Sequence, residues 1–277
     1  MEADRIDAST LTAAPNSESP LMQSGRGRSD NQFARNLKRF LVGNRLNLLG
    51  VIIVAIFLFL AVFGEMLAPH DPYAPDITNA KLLAPSLTHP FGTDELGRDV
   101  FSRIITGTRI SLQVAFIVLG FAVTFGTIVG LIAGYFGGWV DELLMGFTDM
   151  FLAFPALILA VAIAASLGRN LRNTMIALAT VFWPWYARLV RAQVLSIKER
   201  EFVQAAHSIG MTQRRIILRH VLPNAASVII IQVTLDVGYA VLATSSLSFI
   251  GLGAQPPSPE WGTMMATARN YFRDAWW

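Results

Sequence analysis

The side chains that could do chemistry in this chain are few, and the most unusual are two carboxylates inside long apolar stretches. Asp149 and Asp236 each interrupt a run of mostly apolar residues. A carboxylate at membrane depth costs about 3 kcal/mol on insertion scales unless it is paired or faces water. Asp236 also follows Gln232 by one helical turn, so these three residues are candidates for lining a water-filled path. A structural hydrogen bond is the equal alternative for Asp236, and hydration near the end of its stretch is the alternative for Asp149.

The sequence contains no recognisable catalytic constellation. It has no cysteine, which excludes disulfides, thiolate metal sites and cysteine nucleophiles. None of its three lysines follows a glycine, so the Gly-Lys-Ser/Thr core of a phosphate-binding loop is absent. The four histidines, at 70, 89, 207 and 220, lack a metal-ligand spacing such as His-Glu-x-x-His. We therefore expect no catalytic residue, no metal site and no cofactor in this chain.

A polar segment from Glu201 to Pro223 lies between two strongly apolar stretches. Membrane insertion does not explain its composition, so we expect a partner outside the bilayer to bind it. Its first ten residues are predicted to form a short helix that docks in a groove of that partner. The predicted apolar docking face consists of Phe202, Ala205, Ala206 and Ile209. The predicted polar rim consists of Glu201, Gln204 and His207. A helix resting on lipid headgroups is the alternative.

Gly210 is expected to end this helix, either as a left-handed cap or by letting the backbone of the partner approach closely. Leu222 and Pro223 close the polar segment and lead into the next apolar stretch.

The composition indicates an integral membrane protein. Hydrophobic residues make up 53% of the 277 residues, charged residues only 15%, and the mean hydropathy is +0.48. A soluble globular chain of ordinary composition is far less apolar. The net charge of +3 is small, and the basic residues cluster beside apolar stretches, which suits orientation in a membrane better than binding to nucleic acid. We expect a lipid bilayer as a partner and no nucleic acid.

Five apolar runs reach the roughly 20 residues that are needed to cross a hydrocarbon core. They lie near 47–68, 110–136, 143–167, 173–196 and 222–250. The sequence therefore predicts an all-α, polytopic helical membrane protein with five spans. The first run is too long and too far from Met1 to be the centre of a cleaved signal peptide, so we interpret it as an uncleaved anchor.

The distribution of basic residues predicts the orientation and the domains. Six Arg and Lys residues between 26 and 45 place the N-terminus in the cytoplasm. Because successive spans cross the membrane in opposite directions, the loop 70–109 is then expected outside. Residues 197–221, which include most of the polar segment and five basic residues, are expected inside. Residues 1–32 are predicted to be a flexible cytoplasmic tail, and 47–277 the transmembrane domain. Residues 33–46 read as a basic amphipathic segment at the membrane surface, or equally as a plain basic flank of the first span.

Small residues recur at every fourth position in two of the predicted spans. They are Gly126, Gly130 and Gly134 in the second, and Ala156, Ala160 and Ala164 in the third. Such spacing lets helix backbones approach closely, so we expect packing contacts there. Pro155 is expected to kink the third span, as a static bend or as a hinge.

The predicted outer loop contains the sequence HPFGTDELGRD from His89 to Asp99. Its prolines and glycines predict turns, and Thr93 or Asp94 is expected to cap a helix N-terminus. Apolar residues of one helical face follow, from Val100 to Thr108. We favour a structural lid over direct substrate contact for this segment. Its candidate residues are Asp94, Gly97, Arg98 and Asp99.

These segments resemble a known family. Ala205, Ala206, Gly210, Leu222 and Pro223 stand at the spacing of the EAA loop of binding-protein-dependent ABC importer permeases, although Gln204 replaces a Glu and His220 an Ile. The His89–Asp99 segment and the stretch SFIGLGAQPPSPEWG resemble the C-type permease subunit of dipeptide, oligopeptide and nickel importers. The resemblance runs from about residue 40 to the end.

The resemblance implies the permease fold of ABC importers and one half of a translocation path for di- or oligopeptides. It implies a homologous second permease, two ATPase subunits that hold ATP and Mg, and an extracytoplasmic substrate-binding protein. It places the chain in a bacterial cytoplasmic membrane and assigns ATPase coupling to the 201–223 loop. The family usually has a sixth span, which is expected beyond Trp277.

Two other classes of function are alternatives to an ABC importer permease. An ion-driven secondary transporter would place ionisable residues and broken helices at the midplane of two related halves, whereas this sequence has one central carboxylate and no internal repeat. A non-transporting scaffold is disfavoured by the polar segment and the outer loop. Within the importer class, nickel chelates and glutathione are the alternatives to peptides.

Overall fold

The structure is a computed structural model that describes residues 45–277. The expected tail at 1–32 and nearly all of the expected surface segment at 33–46 lie outside the described residues. The chain divides into two units, residues 1–55 and 56–277. Between 45 and 277 the regular structure is helical, and the sole β feature is an isolated bridge between Thr93 and Asp99. The predicted all-α class is confirmed.

Nine α-helices follow one another along the described chain. They are α1 (Arg45–Leu67), α2 (Val100–Phe136), α3 (Gly138–Leu152), α4 (Ala156–Leu167), α5 (Leu171–Lys198), α6 (Glu201–Ser208), α7 (Gln213–Ile216), α8 (Leu222–Phe249) and α9 (Trp261–Ala268). A π-helical turn, Ile217–Val221, joins α7 to α8, and a 3₁₀ turn, Arg269–Tyr271, follows α9.

Helix α2 begins ten residues earlier than the predicted span. Its N-cap is Asp99, whose side chain accepts a hydrogen bond from the Ser102 backbone N–H at 2.8 Å. The expectation that Thr93 or Asp94 caps this helix is therefore wrong: Thr93 hydrogen-bonds to the Ala80 carbonyl and Asp94 binds Arg98. Because residues 100–109 are helical, the segment between α1 and α2 covers only 68–99.

Helices α2 and α5 form the centre of the second unit, and the predicted glycine spacing explains how. Gly126, Gly130 and Gly134 face α5 so closely that an added Cβ would overlap α5 atoms, including the backbone carbonyls of Trp183 and Ala187. Backbones that approach this closely gain dispersion contacts along their whole length. The packing role predicted for these glycines is confirmed.

Pro155 separates α3 from α4. The two helices are bent by 83° at this break. Proline has no backbone N–H and clashes with the preceding turn of a helix, so the helix ends before it and restarts after it. The predicted kink is thus a complete break. On α4, Ala160 and Ala164 are fully buried against the core, as expected from their spacing.

Three described helices are long and apolar enough to cross a membrane. They are α1, α2 and the continuous Gln213–Phe249 segment, and the bent α3–α4 pair adds a fourth if it is one span. Helix α5 has sufficient length but is less apolar, since Arg188 and Arg191 interrupt it. Of the five predicted spans, those at 143–167 and 173–196 therefore stay predictions.

The π-helical turn before Pro223 lets the chain enter α8 without a break. A π turn is hydrogen-bonded from residue i to i+5 and widens the helix locally. Pro223 lacks the N–H that a regular helix would use here, and the helix is of the π type in the turn just before it. Gln213–Phe249 is consequently one helical segment, so the predicted closure at Leu222 and Pro223 is a change of helix type.

Candidate functional site

Asp236 lies at the middle of α8 and is bound by two neutral donors. The Tyr186 hydroxyl, from α5, donates to Oδ2 at 2.6 Å, and Gln232 Nε2 donates to Oδ1 at 3.0 Å. Tyr186 is almost fully buried, whereas Asp236 is half-buried. The structure therefore brings together the predicted residues Gln232 and Asp236 and adds a tyrosine from a neighbouring helix.

This carboxylate opens onto a cavity of about 480 Å³ between α5, α8 and the start of α4. Aromatic rings form much of its wall, and Phe182 stacks on Tyr239 with ring centroids 5.5 Å apart. The lining residues are Ala156, Phe182, Trp185, Tyr186, Leu189, Gln232, Asp236 and Tyr239. A cavity of this size, mostly apolar with a few convergent polar groups, is typical of small-molecule sites.

Asp149 lies in a different place. Its carboxylate pairs with Arg188 of α5 at 2.7 Å, and both side chains are about half exposed. One helical turn away on α5, Arg191 makes two bonds to Asp141 of α3, at 2.5 and 2.6 Å. Asp149 therefore does not line the cavity of Asp236. It belongs to a row of ion pairs that joins α3 to α5 and borders a second recess.

The predicted docking helix exists as α6, with one change to its predicted face. Ala206 is 4% exposed and Val203 is fully buried, and both pack against α5 and the α7–α8 region. Ala206 is therefore on the inner face of α6. The residues left on the outer face include Phe202, Ala205 and Ile209, of which Ile209 is 77% exposed.

Gly210 ends α6 in the left-handed conformation, at φ +77°. Its N–H bonds to the His207 carbonyl at 2.9 Å, and the next N–H, of Met211, bonds to the Ala206 carbonyl at 3.1 Å. No atom lies within 4 Å of the place where a Cβ would stand on Gly210. Of the two explanations offered for this glycine, the left-handed cap is therefore the one that the structure shows.

The remaining predicted residues of this segment lie at its rim. Glu201 and Gln204 are exposed, and His207 Nε2 lies 3.3 Å from the Tyr135 hydroxyl at the end of α2. The rings of Phe202 and His220 have centroids 6.3 Å apart. The segment thus contacts the end of α2 and the π-helical turn before α8, while its outer face is exposed among residues 45–277.

The segment 68–99 contains a tightly bonded cluster of the residues predicted there. Asp94 accepts hydrogen bonds from the backbone N–H groups of Leu96 and Arg98 and from Arg98 Nε, at 2.7–2.9 Å. Gly97 has φ +78° and sits against the Asp76 carbonyl, where no side chain fits. Arg98 is 5% exposed. These contacts favour a structural role for the outer segment over direct contact with a substrate.

Asp99 is fully buried as a side chain and accepts three hydrogen bonds, two from Ser102 and one from His89 Nδ1 at 2.9 Å. Burial raises the pKa of this carboxyl, but the bonds from Ser102 and His89 and the nearby His70 more than offset burial, and the pKa lies below its usual value. Asp99 therefore stays ionised and anchors the start of α2.

Sequence reasoning missed the residues that complete the cavity and the ion pairs. Tyr186, Trp185 and Tyr239 come from two helices, and Tyr186 is 50 positions from Asp236. A signal was present, since Arg188 and Arg191 stand in an apolar run where guanidinium groups need partners. These two arginines indicate that ion pairs exist in the helical bundle. They do not indicate which carboxylate each arginine contacts.

Comparison with known proteins identifies the family. The sequence model of the N-terminal TM domain of oligopeptide transport permease C matches residues 32–85. The model of the binding-protein-dependent transport system inner membrane component matches residues 126–272. A solved structure titled as an amino acid ABC transporter with histidines aligns with a TM-score of 0.44 and 18% identity, covering 61% of this chain and 86% of that one.

Three curated relatives are similar over most of the chain. A dipeptide transport system permease protein of Alkalihalophilus pseudofirmus is 44% identical, covering 96% of this chain and 86% of the relative. A probable D,D-dipeptide transport system permease protein of Escherichia coli K12 is 43% identical, covering 86% and 79%. A glutathione transport system permease protein of Escherichia coli O6:K15:H31 is 39% identical, covering 90% and 82%. The chain belongs to the family of binding-protein-dependent transport system inner membrane components, the permeases of ABC importers.

Proposed function

We propose that this chain is one half of the translocation path of an ATP-driven importer of di- or oligopeptides. Members of its family are multi-pass inner-membrane permeases and not enzymes, and ATP is hydrolysed by separate subunits. The names of two relatives refer to dipeptides and that of a third to glutathione, which is itself a peptide. The packing of α6 against the neighbouring helices is the observation that supports coupling of this chain to an ATPase.

Helix α6 packs through its inner face, and its outer face is exposed in the described part of the chain. Val203 and Ala206 pack in one cluster with Ile197 of α5, Ile216 of α7 and Ala225 of α8. A force applied to the outer face of α6 would therefore act on three helices at once. A short helix with an exposed apolar face that fits a groove in a partner is a common recognition mode. We infer that the partner is the ATPase subunit.

The proposed partners follow from this arrangement. Two ATPase subunits would hold ATP and Mg, a homologous second permease would supply the other half of the path, and an extracytoplasmic protein would deliver the peptide. No cofactor is proposed for this chain itself, and its N-terminus is proposed to be cytoplasmic. ATP binding would shift the permease pair between inward-open and outward-open states, which is a coupling free energy between distant sites.

The proposed path includes the cavity of Asp236 and Gln232. Residues at membrane depth that carry a charge and face a cavity are typical of substrate pathways. Asp149, paired with Arg188, is proposed to lie nearer the end of this path, in the separate recess that the ion pairs border.

The test is uptake of a radiolabelled dipeptide into proteoliposomes that contain the whole complex and its loaded binding protein. We expect uptake to require ATP and to be unaffected when ion gradients are collapsed. In the same assay Ala205→Arg is expected to lower uptake by at least about tenfold, because a long charged side chain on the docking face prevents close fit. Pull-down of the ATPase should fall in parallel.

Thr212→Arg is the matched control, since Thr212 is exposed just beyond α6 and makes no capping bond with its side chain. It adds the same charge on the same side and should leave uptake near that of the parent. Uptake that follows an ion gradient without ATP would reject the importer assignment. Full ATPase binding by the Ala205→Arg complex would reject α6 as the coupling surface.

A further inference from the structure

Asp236 differs from Asp141 and Asp149 in having no cationic partner among residues 45–277. Asp141 is paired with Arg191 and Asp149 with Arg188. Asp236 forms no ion pair with any residue between 45 and 277, and its donors, Tyr186 and Gln232, are both neutral. A carboxylate with only neutral donors has no countercharge beside it, and in a region of low dielectric the attraction between an ionised carboxylate and an incoming cation is strong.

The walls around this carboxylate are also suited to a cation. Trp185 is 63% exposed and Tyr239 48% exposed, and both line the cavity into which Asp236 opens. The faces of Trp and Tyr rings attract ammonium and guanidinium groups, and the attraction grows when water is excluded. A carboxylate, an amide, a phenol and aromatic faces thus surround a space of about 480 Å³.

The kind of cation follows from the ligands that are present. A divalent metal ion prefers several oxygen or nitrogen ligands close together, and here one carboxylate and one amide converge. Aromatic walls contribute nothing to a hard metal ion, but they stabilise an organic ammonium group. The volume holds a small organic molecule with room for more than a single ion.

We propose that the Asp236 cavity is a cation-selective site that binds the primary ammonium group of the transported peptide. This inference rests on the proposed function for the identity of the cargo, because every unmodified peptide carries an ammonium group at its first residue. The carboxylate receives the ammonium group while the ring faces cover its hydrocarbon neighbours. Gln232 and the Tyr186 hydroxyl hold the carboxylate in place.

The first test measures the cation preference of the cavity without requiring transport. The chain has no native cysteine, so Ala156→Cys places a single thiol at the cavity wall. The assembled complex is treated with 2-aminoethyl methanethiosulfonate, which carries an ammonium group, or with neutral methyl methanethiosulfonate, and labelling of this chain is followed by mass spectrometry. We expect the ratio of the two rates to fall about tenfold when Asp236→Asn is added.

Two controls separate the effect of the Asp236 charge from other effects of the substitution. Asp236→Glu keeps the charge and should keep the ratio close to that of the parent. Thr88→Cys, in the exposed part of the 68–99 segment, reports the intrinsic ratio of the reagents and should not respond to Asp236→Asn. An unchanged ratio at Ala156→Cys after Asp236→Asn would overturn the proposed cation site.

The second test connects the site to the cargo. In the proteoliposome assay with saturating loaded binding protein, Asp236→Asn is expected to lower dipeptide uptake at least about tenfold, and Asp236→Glu to restore most of it. Normal uptake by the Asp236→Asn complex would overturn the assignment of the ammonium group to the cargo. Absence of ATP-dependent uptake in the parent complex would instead reject the proposed importer function, and the labelling ratio would still decide the cation site.

Discussion

Among single residues, Asp99 is a buried carboxylate that accepts three hydrogen bonds. Its carboxylate accepts hydrogen bonds from the backbone N–H and the hydroxyl of Ser102 and from the ring of His89, and solvent does not reach this side chain. A helix of 37 residues starts at this point. Removing the carboxylate leaves several buried donors unsatisfied, which costs more than the loss of an exposed cap.

Asp99→Ala is predicted to destabilise the purified complex by about 2–3 kcal/mol at pH 7, because the loss of an N-cap is joined by buried donors left without an acceptor. Thermal unfolding of the complex in detergent measures it. Asp71→Ala is the matched control, because the Asp71 side chain is exposed and accepts one backbone bond, from Tyr73. Equal effects of the two variants would show that burial adds nothing to the role of Asp99.

The same site predicts a dependence on pH. Because the pKa of Asp99 in the folded chain lies below its ordinary value, its contribution to stability is complete above the unfolded pKa of about 3.9. It is lost as pH falls through the lower pKa of the folded state. The stability difference between the parent and Asp99→Ala should therefore shrink below about pH 4. A difference that stays constant into strong acid would show that the ionised carboxylate is not its source.

At the scale of elements, the close contact of α2 with α5 depends on three glycines. Gly130→Ala places a methyl group against the Ala187 carbonyl and the Val190 side chain, and overpacking of this kind costs about 1–3 kcal/mol. Gly120→Ala is the control on the same helix, since nothing lies within 4 Å of its added Cβ. Gly120→Ala should be neutral or slightly stabilising. The measurement is the unfolding temperature of each complex, and equal temperatures would contradict the packing role.

Local chemistry explains which elements the sequence predicts well. The glycine spacing and the break at Pro155 depend on backbone sterics alone, and both are present in the structure. Two features depend on tertiary context. Ala205 and Ala206 have identical side chains, so only the packing of α6 decides that Ala206 is buried. The sequence predicts a helical face from Val100 to Thr108 and a separate span at 110–136, whereas both belong to α2, in whose first turns Arg103 and Thr106, polar in sequence, are buried.

In the candidate site, too, some features follow from local sequence and others from tertiary packing. Asp236 and Gln232 are one turn apart on one helix, so their proximity follows from helical periodicity. Tyr186 reaches them from α5, and the aromatic wall needs both α5 and α8 to assemble. A carboxylate at membrane depth indicates that a partner group exists, but its identity is a property of the packed bundle.

At the scale of the whole molecule, the orientation in the membrane is open to a direct test. Thr88 and Gln213 are both exposed, and the chain has no native cysteine. We predict that Thr88→Cys reacts with an impermeant thiol reagent on intact cells, whereas Gln213→Cys reacts only after the cells are opened, because basic residues cluster around Gln213. Each variant controls for the expression of the other. Labelling of Gln213→Cys on intact cells would reverse the proposed orientation.

The length of α2 has a mechanical consequence. A helix of 37 residues is about 55 Å long at a rise of 1.5 Å per residue. Its first turn is tied to the 68–99 segment through Asp99. Its far end contacts His207 of the polar segment through Tyr135, and the Gly134 carbonyl accepts a hydrogen bond from Lys198 at the end of α5. Because three glycines hold it closely against α5, we expect α2 and α5 to tilt together as a rigid pair and not to slide past one another. A tilt of about 5° at one end would move the other by about 5 Å, which is the distance between neighbouring turns of a helix.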